Sequence, residues 1–320
     1  MVDEPLCPPV AHPALAAPEE IYRVAARNPA TVLRYEQSWA AWAAWAEAHE
    51  LPASMPVAPA PVGRWLAEEA DAGVAYATLQ LRVTALRVLH AQQGQALDTR
   101  HPAIRDVLKG IRRTHGTAQR QAKPIMVEHL RVACGPTGLP ATLHGMRDRA
   151  MLLVGWAGGF RASELAALAV GDVAWDDDGM VLTVRRSKTD QDGAGREVAV
   201  PNGSAPNTCP ARTLRRWLDA AGITSGPIFR EMHGDVVGER PCTRWTVDRL
   251  VRRVADLCGF DPEKYSSHSL RAGLITSARL AGKADAVIMR TTGHRRVETL
   301  GRYDRGAVHL YERAAAGLGL

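Results

Sequence analysis

The chain has 320 residues and a modest basic excess, with Lys and Arg at 40 against Asp and Glu at 34 and a net charge of +6. That length allows two domains with substantial cores, and the charge favours a polyanionic partner. Five cysteines (Cys7, Cys134, Cys209, Cys242, Cys258) are scattered and never form a C-x-x-C pair, so neither a disulfide framework nor a zinc knuckle is indicated.

Residues 1–20 hold Pro5, Pro8, Pro9, Pro13 and Pro18 and little hydrophobic content, so a disordered tail is expected there. The tail lacks a basic segment followed by an apolar one, and no apolar run reaches bilayer length; a soluble, cytoplasmic protein without membrane contact is the expectation. From about residue 21 the pattern turns helical. Val32, Tyr35, Trp39, Trp42 and Trp45 recur mostly at three- and four-residue spacing, a stripe read as core rather than as a base-stacking platform.

A proline-rich break at 52–61 precedes helices expected at 62–70, 76–92 and 101–114, which makes residues 21–115 a small all-α domain. From Arg100 to Lys123 the basic residues Arg100, Arg105, Lys109, Arg112, Arg113, Arg120 and Lys123 face a single acid, Asp106. Such a run is either a solvated helix face or a segment that tracks phosphates. Residues 116–125 have no apolar periodicity and read as a basic interdomain linker.

The second domain, 126–320, opens with helices expected at 127–133 and 145–156, a turn at Gly158-Gly159 and a helix at 163–169. An acidic turn, Asp176 to Gly179, adjoins a β-hairpin formed by 180–186 and 197–200. Adjacent carboxylates in such a turn are a solvated loop, and no metal site is assigned. Helices follow at 209–221, 243–258, 267–280, 284–291 and about 297–302, with a last amphipathic stretch at 308–316.

Four local patterns in this domain carry chemistry. Gly159-Phe160-Arg161-Ala162-Ser163-Glu164 sets an arginine at the start of a helix after a glycine turn, and Arg186-Ser187-Lys188 sets a lysine at the hairpin tip. His268-Ser269-Leu270-Arg271 places an imidazole and a guanidinium on one helical face, and Gly293-His294 leads to Tyr303 nine residues on. Each pattern alone is common. Together, in this order and with Arg271 and His294 separated by 23 residues, they resemble the tyrosine recombinase (phage integrase) family over nearly the whole chain from about residue 25.

The resemblance implies a mainly α fold with a small β-sheet: an all-α, SAM-like core-binding domain and an α+β catalytic domain closing as a C-shaped clamp on DNA, in a Cre-like or Xer-like two-domain plan. It implies a site-specific recombinase that cleaves and rejoins DNA through a 3′-phosphotyrosine, without metal, ATP or other cofactor. Its partner is double-stranded DNA carrying a recombination site, bound by a homotetramer associated with the nucleoid. By the same resemblance Tyr303 is the nucleophile, Arg161, Arg271 and His294 hold the scissile phosphate, His268 assists proton transfer, Lys188 is the general acid and Glu164 orients its basic neighbours.

These residue types suit that chemistry. Attack on a phosphodiester builds negative charge on the phosphoryl oxygens, and guanidinium supplies a permanent charge with a planar fork of donors. Arg105, Lys109, Arg112, Arg113, Arg120 and Lys123 are the expected backbone-tracking residues. Two other readings share much of the pattern: a type IB topoisomerase-like relaxing enzyme, and a catalytically silent DNA-binding or architectural protein.

Overall fold

The computed structural model describes residues 28–117, 121–185 and 195–303, for residues 302 and 303 the backbone alone. Lys188, Arg120, the proposed tail at 1–20 and the stretch at 308–316 therefore lie outside the described residues. The chain divides into two compact units at residues 120 and 121.

The first unit contains helices α1 (Pro29–Ala48), α2 (Pro59–Asp71), α3 (Tyr76–Gln92) and α4 (Pro102–His115). Asn28 caps α1 by accepting from the Ala30 amide at 2.9 Å, and proline at the first turn of α1, α2 and α4 fills a position whose N–H has no intrahelical partner. The core is built on Trp42, Trp65, Leu66, Leu79, Leu86 and Ile104, all essentially inaccessible. Burying each such side chain contributes about 1.5–3 kcal/mol. The aromatic stripe of α1 is thus core where Trp42 meets Trp65 edge-on at 5.5 Å between centroids, while Val32 at the front of the helix is exposed.

Buried His90 ties the proline-rich segment to α3: one ring nitrogen donates to the Leu86 carbonyl and the other accepts from the Val57 amide. Those two bonds define a neutral ring with the proton on Nδ1. On α4, Ile104 and Ile111 face inward, and Arg105, Lys109, Arg112 and Arg113 lie exposed on the outside.

The second unit contains α5 (Val127–Ala133), α6 (Leu143–Ala157), α7 (Ala162–Ala166), β1 (Val173–Asp176), β2 (Gly179–Val184), β3 (Arg196–Pro201), α8 (Pro210–Ala220), β4 (Arg230–His233), β5 (Val236–Pro241), α9 (Arg244–Leu257), α10 (His268–Leu280) and α11 (Asp285–Thr292), followed by a 3-10 helix at Val297–Tyr303. α6 is its central element, with Ala150, Met151, Leu152, Leu153 and Val154 all buried. No helix among the described residues is long and apolar enough to cross a membrane.

The sheet is an antiparallel meander in the order β1-β2-β3, pairing Met180 with Val200 and Leu182 with Val198 so that alternate side chains enter the core. The expected hairpin is present, with β2 at Gly179–Val184 paired to β3, and residues 186–194 between them lie outside the described residues. β1 is an addition: the acidic turn is the two-residue connection between β1 and β2, where Asp176 pairs with Gly179. Its backbone is held by Asn202, whose amide donates to the Asp177 carbonyl at 2.9 Å. A second, two-stranded ribbon, β4-β5, also escaped the sequence reading.

Residues 121–125, read from the sequence as the end of a linker, are pinned to the second unit. The Lys123 amide donates to the Lys264 carbonyl, the Ile125 amide to the Ser269 carbonyl, and the Trp156 indole to the Ile125 carbonyl at 2.7 Å. Ile125 is fully buried, and Gly273 of α10 is required beside it, since a Cβ there would fall 1.8 Å from the Ile125 oxygen.

Candidate active site

The turn after α6 is shaped by its two glycines. Gly159 has φ +57, a left-handed conformation that glycine adopts without strain, and an added Cβ would press on Leu274 at 2.8 Å. Phe160 then enters the core and Arg161 becomes the N-cap of α7. Glu164, one turn on, accepts from the Arg161 amide at 3.0 Å and from its guanidinium at 2.5 Å. The sequence spacing of Arg161 and Glu164 thus produces a one-way cap, with the carboxylate accepting from the Arg161 amide, as well as an ion pair.

The Glu164 carboxylate is almost wholly buried, with side-chain exposure of 1 %, and a single arginine does not satisfy it. Arg196, the first residue of β3, supplies the second partner through Nη2 at 2.9 Å from Oε2. Its other terminal nitrogen donates to the Thr291 carbonyl at the end of α11, and its guanidinium lies over the Phe160 ring at 5.7 Å. Burial lowers the Arg196 pKa from its ordinary range, opposed by Glu164.

Arg271 comes from the first turn of α10 and is buried. It donates from Nη1 to the Gly159 carbonyl at 2.8 Å and turns Nη2 to His294, 3.2 Å from Nε2. α10 is set in place by a bond from the Ser267 amide to the Asp248 carboxylate of α9. His268 begins α10 and is exposed, one turn before Arg271.

His294 follows Gly293, which ends α11 at φ 70 and reverses the chain. The Thr292 hydroxyl donates to the Ile288 carbonyl at 2.7 Å, so its oxygen accepts from His294 Nδ1 at 2.8 Å. That bond assigns a proton to Nδ1, while Arg271 Nη2 lies nearly equidistant from the two ring nitrogens, at 3.3 Å from Nδ1 and 3.2 Å from Nε2. Burial and then the Arg271, Arg161 and Arg196 charges push the His294 pKa down to about 4, against the opposing pull of Glu164.

The structure therefore gathers Arg161, Glu164, Arg271 and His294, and adds Arg196, which the sequence reading missed. Tyr303 ends the 3-10 helix that follows His294, with its backbone alone described. Among the described residues no three His, Cys, Asp or Glu side chains group to hold a metal ion. The site is instead a cluster of guanidinium groups and an imidazole around one buried carboxylate, an arrangement suited to oxyanions.

In the first unit, Lys109, Arg112 and Arg113 are exposed on α4, whereas Arg105 is engaged with Asp106 through two bonds of 2.8 and 3.0 Å. Lys123, also exposed, belongs to the second unit.

A mainly helical unit with a three-stranded meander and an arginine-histidine cluster defines a narrow class of protein. Residues 136–309 match the model of the phage integrase family, and the chain belongs to that family. It is 32% identical over 279 residues to an integrase/recombinase xerD homolog of Selenomonas ruminantium, a match covering 85% of this chain and 80% of the relative. Among solved structures, the XerH site-specific recombinase in a post-cleavage complex with palindromic difH substrate superposes with a TM-score of 0.60 at 17% identity, covering 84% of this chain and 75% of that one. A lambda integrase dimer bound to a COC′ core site gives 0.56 at 16% identity, covering 90% and 94%. These likenesses establish the same fold.

Proposed function

We propose that this protein is a site-specific DNA recombinase that cleaves and rejoins duplex DNA through a covalent bond between Tyr303 and a backbone phosphate. The observation that carries the reading is the convergence of Arg161, Arg271 and His294, from three separate elements, about the buried Glu164 in a member of this family. In this reading Arg161 and Arg271 bind the two non-bridging oxygens of the scissile phosphate, and their fixed charge stabilises the five-coordinate transition state.

The Tyr303 hydroxyl attacks phosphorus, giving up its proton with the help of His268. The bond to the 5′-oxygen breaks, and that oxygen leaves with a proton from Lys188. A phenol with a reference pKa of about 10 needs such a cationic setting to act near neutral pH. The phosphotyrosine ester preserves the energy of the broken bond, so a 5′-hydroxyl from another strand reseals the backbone in the reverse of the same step. Glu164 orients Arg161.

Residues 21–115 serve as the core-binding domain, 116–120 as a basic strap and 121–320 as the catalytic domain. Lys109, Arg112, Arg113, Arg120 and Lys123 contact phosphates, with Arg105 beside them. The enzyme works as a homotetramer on two paired sites in the cytoplasm, associated with the nucleoid; the DNA-bound state of XerH on difH substrate and of lambda integrase on a core site supports duplex DNA as its partner.

The test is denaturing capture of the protein with fragments of its own genome, followed by sequencing of the attached DNA. Wild type should recover one recurrent sequence in covalent linkage, and Tyr303→Phe should recover none while still shifting that sequence in a native gel. Adducts undiminished in Tyr303→Phe would refute the assignment of the nucleophile, binding without any adduct would leave an architectural protein, and relaxation of supercoils without exchange between two sites would favour a topoisomerase.

A further inference from the structure

We propose that Arg196 is a positioning residue that locks the two halves of the phosphate-binding cluster together, holding Glu164 on one side and the backbone leading to His294 on the other. The inference rests on the recombinase reading and extends it to a residue outside the six assigned to the chemistry and their supporting Glu164.

Arg196 spans a junction between distant parts of the chain. Nη2 donates to Glu164 Oε2 at 2.9 Å, across 32 residues, and Nη1 donates to the Thr291 carbonyl, across 95. Glu164 in turn holds Arg161 through its other oxygen. Thr291 is followed by Thr292, whose hydroxyl receives the His294 ring, and by Gly293, whose missing side chain makes room for Arg196: a Cβ there would lie 2.9 Å from Nε.

Its side chain is only 17% exposed, and its stacking on Phe160 leaves the terminal nitrogens committed to these two acceptors. A planar fork with two separately directed donors is what this junction needs. A lysine, with one nitrogen at the end of a flexible stem, cannot reach both acceptors with fixed geometry. Cutting the link frees Arg161 and His294 to move independently, and a misplacement of about 1 Å in a site that works by orientation costs about 100-fold in rate.

The experiment compares wild type, Arg196→Gln and Arg196→Lys. Single-turnover adduct formation is followed on a nicked substrate carrying the captured sequence, alongside the affinity for that substrate, the melting temperature and the ring-nitrogen NMR titration of His294 in free protein. Arg196→Gln should slow adduct formation about 100-fold with affinity changed less than about 3-fold, and Arg196→Lys should be slowed about 10-fold. In the free protein, where Arg271, Arg161, Arg196 and Glu164 face the ring, Arg196→Gln should move the His294 titration toward its ordinary value.

Adduct formation within 3-fold of wild type in Arg196→Gln overturns the proposal and leaves the recombinase reading intact. If Arg196→Gln does not melt cooperatively, Arg196→Lys decides by the same rates, and a rate equal to wild type overturns the proposal. If wild type itself forms no adduct, the recombinase reading fails. The His294 titration of Arg196→Lys, which keeps the charge, then decides: a curve displaced from wild type supports the link through Arg196, and one superposable on wild type refutes it.

Discussion

Arg271 and His294, 23 residues apart and on different elements, meet with the arginine Nη2 3.2 Å from the imidazole Nε2. Nη2 is almost as close to Nδ1, at 3.3 Å, so the guanidinium rests against the ring between its two nitrogens, a contact that favours the neutral imidazole. Burial disfavours the charged ring, and a protonated ring would also set two cations against each other beside Arg161 and Arg196, which together bring the His294 pKa down to about 4. The arrival of a phosphate anion changes that balance, because it offers both groups an acceptor.

The first prediction is a linkage between pH and stability. His294 titrates near 4 when folded and near 6.5 when unfolded, so between those values the unfolded chain binds more protons and stability falls as the pH drops. Above pH 6.5 the contribution is complete; by pH 4 it is gone. Discounted for partial solvent screening, it is on the order of 2 kcal/mol. His129 and His144, whose pKa values burial also lowers, add in the same direction, so the comparison must be with His294→Gln. Urea unfolding at pH 7.5 and pH 4.5 should show a smaller pH-dependent loss in that variant, and equal losses would mean the ring is not held neutral.

Binding of phosphate should reverse the shift. In the NMR titration the His294 ring should remain neutral down to about pH 5 in free protein and gain its proton at a higher pH once duplex DNA is bound. A titration that does not move with DNA would place the phosphate away from this ring.

Glu164→Ala should destabilise the protein by about 3 kcal/mol, the range for removing one partner from a buried ion pair. The carboxylate is 1 % exposed and holds two arginines, Arg161 and Arg196, whose charges would be left facing each other. Glu164→Gln, which keeps acceptor capacity on one oxygen, should lose less. Denaturant unfolding checks both, and a loss under about 1 kcal/mol for the alanine variant would show that water satisfies the arginines.

The ease with which different parts of the site were read follows from how local their partnerships are. Arg161 and Glu164 are three residues apart at a helix start, and His268 and Arg271 share a helical turn, so spacing alone displays them. Arg196 has its partners 32 and 95 residues away, and within Gly195-Arg196-Glu197 it reads as any charged residue entering a strand. Its role is a product of tertiary packing. The same distinction separates the strands: β2 and β3 alternate apolar residues over six positions, whereas β1 has four residues and β4-β5 are mostly polar, with Gly238 and Pro241 inside the second strand. Strands without an apolar rhythm are held by pairing with a neighbour, which a linear sequence does not display.

The outer face of α4 supplies the last prediction, which separates residues that look equivalent in sequence. Each phosphate neutralised by a lysine or arginine releases counterions and adds about 0.9 to the slope of log affinity against log salt. Lys109, Arg112 and Arg113 are exposed, so replacing all three by alanine should reduce the slope by nearly 3 if each meets a phosphate. Arg105 differs, because Asp106 already occupies its guanidinium through two hydrogen bonds. Arg105→Ala alone should change the slope by less than any one of the other three replaced singly, whereas Asp106→Ala should strengthen binding by freeing Arg105. The measurement is a fluorescence-anisotropy titration across 50 to about 250 mM salt, a range over which a contact of this kind is easily resolved. Equal slopes for wild type and the triple variant would make α4 a solvated face and move the phosphate-tracking surface elsewhere on the protein.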